Sequence, residues 1–211
     1  MIHPFSPSRR MQTLDLASYQ TLRSGATVLE ADGHGDKVLQ LPDGRFLKLF
    51  RRKRLISSAA LYPYAQRFTD NITALQQRGI PCPEVEAIFR IPAIERDAVL
   101  YRPLPGHTLR QVLKASQPDI NGLDAKLATF IAHLHNNGVY FRSLHLGNIL
   151  LTDRGELGLI DVADMQCQKR PLNVWKRKRN FKHLLRYTKD QQLLEQYLGL
   201  DNLKRLYQLA L

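Results

Sequence analysis

A change of periodicity at Arg102-Pro103-Leu104-Pro105-Gly106 sets the narrowest limit on the fold. Before it the chain alternates in short apolar runs broken by turns, and after it the apolar residues recur at helical spacing. Ala26–Glu30 and Lys37–Leu41 flank the turn Asp32-Gly33-His34-Gly35-Asp36. Pro42-Asp43-Gly44-Arg45 then forms a second turn before the strand Phe46-Leu47-Lys48-Leu49-Phe50. Tyr64 to Arg78 reads as a helix with Phe68, Ile72 and Leu75 on one face, stopped by Gly79 and Pro81. Strands follow at Val85–Phe89 and Ala98–Tyr101. Beyond the break, Thr108 is placed to cap a short helix with Leu109, Val112 and Leu113. Leu123, Leu127, Phe130, Ile131 and Leu134 form a helical stripe ending at Gly138. A hairpin is expected at Ile149–Leu151 and Leu157–Ile160, and helices from about Leu172 onward. The expectation is an α+β chain in three parts: an N-terminal arm over 1–24, a small sheet lobe over 25–101, and a hinge with a mostly helical lobe over 102–211.

Composition narrows the class. With 211 residues, 44% hydrophobic and 24% charged, the chain has the balance of a globular protein, which excludes collagen, coiled coil and bulk disorder. No apolar run is long enough to span a membrane, and the first ten residues lack the apolar stretch of a secretory signal. Cys82 and Cys167 lie far apart, so neither a disulfide framework nor a thiolate zinc site is expected, and a reducing cytoplasm fits. Lys and Arg total 31 against 19 Asp and Glu, a net charge of +12. Such a surplus attracts polyanions: nucleic acid, anionic lipid or phosphorylated glycan.

The chemistry concentrates in Tyr140-Phe141-Arg142-Ser143-Leu144-His145-Leu146-Gly147-Asn148, followed after the hairpin by Ile160-Asp161-Val162-Ala163-Asp164. A helix precedes the first segment. This layout resembles the catalytic and metal-binding loops of the protein-kinase-like fold, in the H-x-D-L-H-x-G-N form used by small-molecule phosphotransferases. Lys48 lies mid-strand where that fold keeps its phosphate-binding lysine, and Tyr101–Gly106 lies where it keeps its hinge. With Phe46–Arg52, Arg78-Gly79-Ile80-Pro81-Cys82-Pro83 and the basic tract from Arg170 to Arg186, the likeness narrows to the lipopolysaccharide core kinases of bacteria. These phosphorylate heptose or Kdo sugars and include the so-called toluene-tolerance proteins. The resemblance runs over roughly residues 25 to 190 and implies a two-lobed kinase-like fold with ATP and Mg²⁺ as cofactors. It places Lys48, Gly33, Gly35 and Tyr101 at the nucleotide and Asn148 and Asp161 at the metal. These residue types suit phosphoryl transfer, which needs positioning and charge neutralisation, and Mg²⁺ takes hard oxygen donors.

The pattern is also altered. Ser143 stands where the family keeps its general-base aspartate, and Phe141 replaces the leading histidine. The turn at Gly33 and Gly35 has Val38 where a third glycine belongs, and Asp70, the one acid of the Tyr64–Arg78 helix, is out of register for Lys48. His145, two residues past Ser143, is a candidate substitute base or a loop-ordering residue. His133 and His135 read as packing or solvating their helix. Two readings follow: a sugar kinase with Ser143 and His145 at the reacting centre, or a pseudokinase that binds nucleotide or core glycolipid and regulates or scaffolds core assembly. Two basic clusters, Arg51-Arg52-Lys53-Arg54 and Lys176-Arg177-Lys178-Arg179 with Lys182 and Arg186, are candidate landing surfaces for anionic lipid or phosphorylated core sugar. Val174, Phe181, Leu184 and Leu185 form the expected buried stripe of the second. Nucleic acid ranks last as a partner, because no recognised binding motif accompanies the charge. The expected location is the cytoplasm, peripheral to the inner face of the membrane.

Overall fold

The computed structural model describes residues 10–52, 62–115 and 120–211. The chain divides into two compact units, Met1–Thr73 with Pro83–Pro103 and Ala74–Cys82 with Leu104–Leu211. Lys53 and Arg54 of the first basic cluster fall outside the described residues.

The first unit is built on a six-stranded sheet in the order β1-β5-β6-β4-β3-β2. Its strands are β1 (Gln12–Thr13), β2 (Thr27–Asp32), β3 (Gly35–Gln40), β4 (Phe46–Arg51), β5 (Glu84–Ile91) and β6 (Arg96–Arg102). All pairings are antiparallel except β1 on β5. Alternation along β4 sends Leu47 and Leu49 to one face, where they pack with Tyr19, Leu39, Leu41, Ile91 and Leu100. Lys48, Phe46 and Phe50 face the other way. There Phe68 of helix α2 (Tyr64–Gln76) packs against Phe50 and Tyr101.

The arm expected over 1–24 is corrected in part. Gln12 and Thr13 pair with Phe89 and Arg90, and α1 (Leu16–Arg23) starts from the Asp15 cap and buries Tyr19 in the sheet core. A two-residue strand and a helix with one buried residue carry too little apolar periodicity to be visible in sequence.

The second unit has two further sheets and five α-helices among the described residues. Strands β7 (His107–Thr108), β9 (Ile149–Leu151) and β10 (Leu157–Leu159) form one sheet, and β8 (Val139–Phe141) pairs with β11 (Met165–Cys167). Thr108 caps α3 (Leu109–Lys114) in a capping box with Gln111. Helix α4 (Leu123–Asn136) ends at Gly138, whose φ of +71° is the left-handed turn that favours glycine. Helices α5 (Val174–Leu184), α6 (Thr188–Leu198) and α7 (Leu200–Leu209) follow, with α7 lying along α4. On α5 the buried residues are Asn180 and Leu184. Val174 is exposed and Phe181 and Leu185 are only half-buried, so the apolar stripe expected there is divided between two faces.

Candidate functional site

Two ladders bracket the segment that carries the chemistry. β8 pairs with β11 so that Phe141 opposes Met165, and β9 pairs with β10 so that Ile149 opposes Leu159. The loop 142–148 and the turn 160–164 are therefore fastened to each other at both ends. At one end the Ile160 N–H donates to the Asn148 carbonyl at 3.1 Å, which makes Asn148 and Asp161 neighbours. At the other end the Ser143 hydroxyl donates to Asp164 Oδ2 at 2.6 Å.

Each side chain has a defined setting. Asn148 is buried, and its Nδ2 donates to the Ser143 carbonyl at 3.0 Å, leaving Oδ1 as its acceptor. Asp161 is exposed and holds φ +54°, ψ +49°. Among the described residues only Glu95 shares a positive φ without being glycine. That left-handed conformation costs about 1–3 kcal/mol and collects at functional sites. Asp164 Oδ1 is buried without a hydrogen-bond partner among the described residues. An orphaned carboxylate oxygen is costly to keep dry, so its retention needs a reason beyond packing.

His145 is committed within the loop. Its Nδ1 accepts the Gly147 N–H at 3.1 Å, and its ring meets Tyr187 edge-on at 5.1 Å between centroids. Burial, followed by the nearby Arg110 charge, pushes its pKa below the usual histidine value. The ring is accordingly neutral, with its proton on Nε2.

The loop rests on an ion pair that sequence patterns do not reveal. Asp190 is fully buried and receives Arg110 Nε and Nη2, both at 2.8 Å, while the Leu146 N–H donates to its Oδ2 at 3.3 Å. The Arg110 N–H in turn donates to the Leu146 carbonyl at 3.1 Å. A Cβ on Gly147 would lie 2.6 Å from Arg110 Nη1, so any larger residue there must displace the guanidinium that Asp190 holds. Arg110 and Asp190 are 80 residues apart, and no local pattern signals the pairing. Asp164 is equally hidden in the sequence, because its spacing from Asp161 carries no signal without the β8–β11 register.

In the first unit Lys48 sits mid-strand on β4, opposite Val99, with Nζ 5.8 Å from the Phe50 ring centroid. Gly33 and Gly35 form the exposed β2–β3 turn, where Asp32 accepts the His34 N–H at 2.8 Å. Tyr101 is buried between Phe46 and Phe68, so its ring is a core element and only its backbone borders the hinge. Asp70 accepts from Tyr62 Oη and Gln66 Nε2.

The donor set of the second unit fits Mg²⁺. Asn148 and Asp161 supply neutral and anionic oxygens side by side. Among the described residues no group of three or more His, Cys, Asp or Glu forms a fuller cage. Two protein ligands, with phosphate oxygens and water completing the shell, is the usual provision for this ion.

The family model described as "Lipopolysaccharide kinase (Kdo/WaaP) family" matches residues 16–207. No curated protein matches the chain.

Proposed function

Because the chain belongs to the lipopolysaccharide kinase (Kdo/WaaP) family, we propose that it is a working kinase that moves the γ-phosphoryl group of ATP to a heptose or Kdo hydroxyl of the lipopolysaccharide core. The observation that carries this reading is the 2.6 Å hydrogen bond from Ser143 to Asp164. It returns to the catalytic loop the carboxylate that the loop's own sequence lacks.

Ser143 and Asp164 act as one unit. As the acceptor oxygen bonds to the γ-phosphorus and the bond to the ADP oxygen breaks, the acceptor proton passes to Ser143 Oγ. The Ser143 proton passes to Asp164 Oδ2 in the same step. General-base assistance of this kind is worth about 10²- to 10⁴-fold. His145 positions the loop rather than taking the proton, because its Nδ1 lone pair is already engaged by Gly147. Asn148 and Asp161 are the residues that would hold Mg²⁺, which when bound neutralises the phosphate oxygens. Lys48 would hold the α- and β-phosphates, and the Gly33–Gly35 turn and the Tyr101 backbone would border the nucleotide. These roles rest on the family likeness.

The test is an exchange. Asp164→Asn and Ser143→Ala should each lower phosphotransfer to core oligosaccharide by about 10²- to 10⁴-fold, and together by little more. Ser143→Asp alone sets two carboxylates against each other and should not help. Ser143→Asp with Asp164→Ser leaves one carboxylate in the pair and should recover activity. Wild-type rates in Asp164→Asn would refute the proton path. Absence of turnover in the wild type and in the exchange variant, with ATP bound, would favour the pseudokinase reading.

A further inference from the structure

Away from the site just described, α5 and α7 enclose a cleft of about 460 Å³. Its apolar lining is Val174 and Phe181 from α5 and Leu185 at its C-cap, with Tyr207 and Leu211 from the C-terminal segment. The lining residues of this helix, Val174, Arg177, Lys178, Phe181, Lys182 and Leu185, fall at helical spacing along one face. Its rim is cationic: Arg177, Lys178, Lys182 and Lys204 border it, and among the described residues no acid does. Lys204 pairs with Asp201 at 2.9 Å, while Arg177 donates to the Leu172 carbonyl and to Asn136 Oδ1. Among the described residues Arg177, Lys178 and Lys182 have no carboxylate in salt-bridge range. Helix α5 itself contains five Lys or Arg and no acid. At its first turn Val174 and Trp175 are 66% and 62% exposed, and Leu211 is 50% exposed.

This composition selects its occupant. A solvated basic helix has no need of a cleft lined by Phe, Leu and Val, and exposed apolar residues clustered beside cations mark an interaction surface. An apolar floor with a cationic rim matches a molecule with an acyl chain and an anionic head. An exposed Trp next to it is the residue type that settles at a lipid–water boundary. A second copy of this face would bring like charges together, which disfavours self-association. We infer that the α5–α7 cleft is a binding site for anionic phospholipid at a bilayer surface, with the acyl chain against Phe181, Leu185 and Leu211 and the headgroup phosphate on Lys178 and Lys182. The inference is independent of the kinase reading.

Trp175 is the single tryptophan of the chain; it is exposed beside Val174 of the cleft, with the Arg179 guanidinium 5.1 Å from its ring centroid, so its emission reports burial of this face. Vesicles of phosphatidylglycerol mixed with phosphatidylcholine should bind the full chain and shift Trp175 emission to the blue, whereas pure phosphatidylcholine should do neither. At matched ionic strength Lys178→Ala with Lys182→Ala should lower vesicle partitioning about thirty-fold, at roughly a decade and a half for two surface cations. Val174→Asp with Leu211→Asp, both at exposed positions that leave the core untouched, should abolish the emission shift. Equal binding to neutral vesicles overturns the inference, as does binding with Trp175 unmoved or with the aspartate variant unaffected. An acidic amphipathic peptide that displaces bound vesicles and shifts Trp175 at lower concentration would overturn it in favour of a protein partner.

Discussion

Acid should loosen the second unit through one buried histidine. His135 on α4 has no exposed surface; its Nδ1 lies 2.7 Å from the Tyr207 hydroxyl and its Nε2 lies 3.1 Å from Asn180 Oδ1. Asn180 Nδ2 donates to the Phe141 carbonyl, so its oxygen is the acceptor and the ring is neutral with its proton on Nε2. Burial, opposed by the Asn180 contact and aided by the Arg177 charge, pushes the pKa from 6.5 down to about 4. As pH falls below 6.5 the unfolded chain takes up the proton first, so stability present at neutral pH drains away across the interval from 6.5 to about 4. The amount is about 3 kcal/mol, a large part of a typical domain's reserve. The loss also reaches the site, because Phe141 leads directly into the loop 142–148. Urea titrations at a series of pH values measure it. His135→Gln keeps a donor and an acceptor but cannot take up a proton, so it should be less stable at pH 7 and show a flatter pH dependence. If wild type and His135→Gln lose stability in parallel between pH 7 and 4, within about 0.5 kcal/mol, the reasoning is wrong.

Three further outcomes are expected. Asp190→Ala leaves Arg110 and the Leu146 N–H without their partner and should cost about 3–5 kcal/mol in chemical denaturation, while Arg110→Met with Asp190→Leu should cost much less. Gly147→Ala forces its Cβ against Arg110 and should cost about 1–3 kcal/mol by the same measurement, with less of that cost when Arg110 is already Met. ATP should raise the melting temperature, Mg²⁺ should add to the rise, and Asp161→Ala should remove the Mg²⁺-dependent part while leaving the rest.

Whatever depends on near neighbours could be read from the amino acids directly. The turns at Asp32–Asp36 and Pro42–Arg45, the capping of α3 by Thr108, the stripe of α4 and the β9–β10 hairpin follow from residues a few positions apart. The hairpin between Asn148 and Asp161 was legible too, while their pairing as metal residues came from the resemblance to the kinase-like loops. Long-range packing, by contrast, pairs β8 with β11 and so brings Asp164 to Ser143, lays Asp190 under the loop with Arg110, and seals His135 with Asn180 and Tyr207. It also splits the apolar residues of α5 between a buried face and an open cleft, and draws Tyr19 into the sheet core. Periodicity marks which side of a helix or strand is apolar. Which distant side chain meets that face depends on how the elements pack, and a polar partner supplied from about 20 to 80 residues away leaves no repeat for the pattern to show.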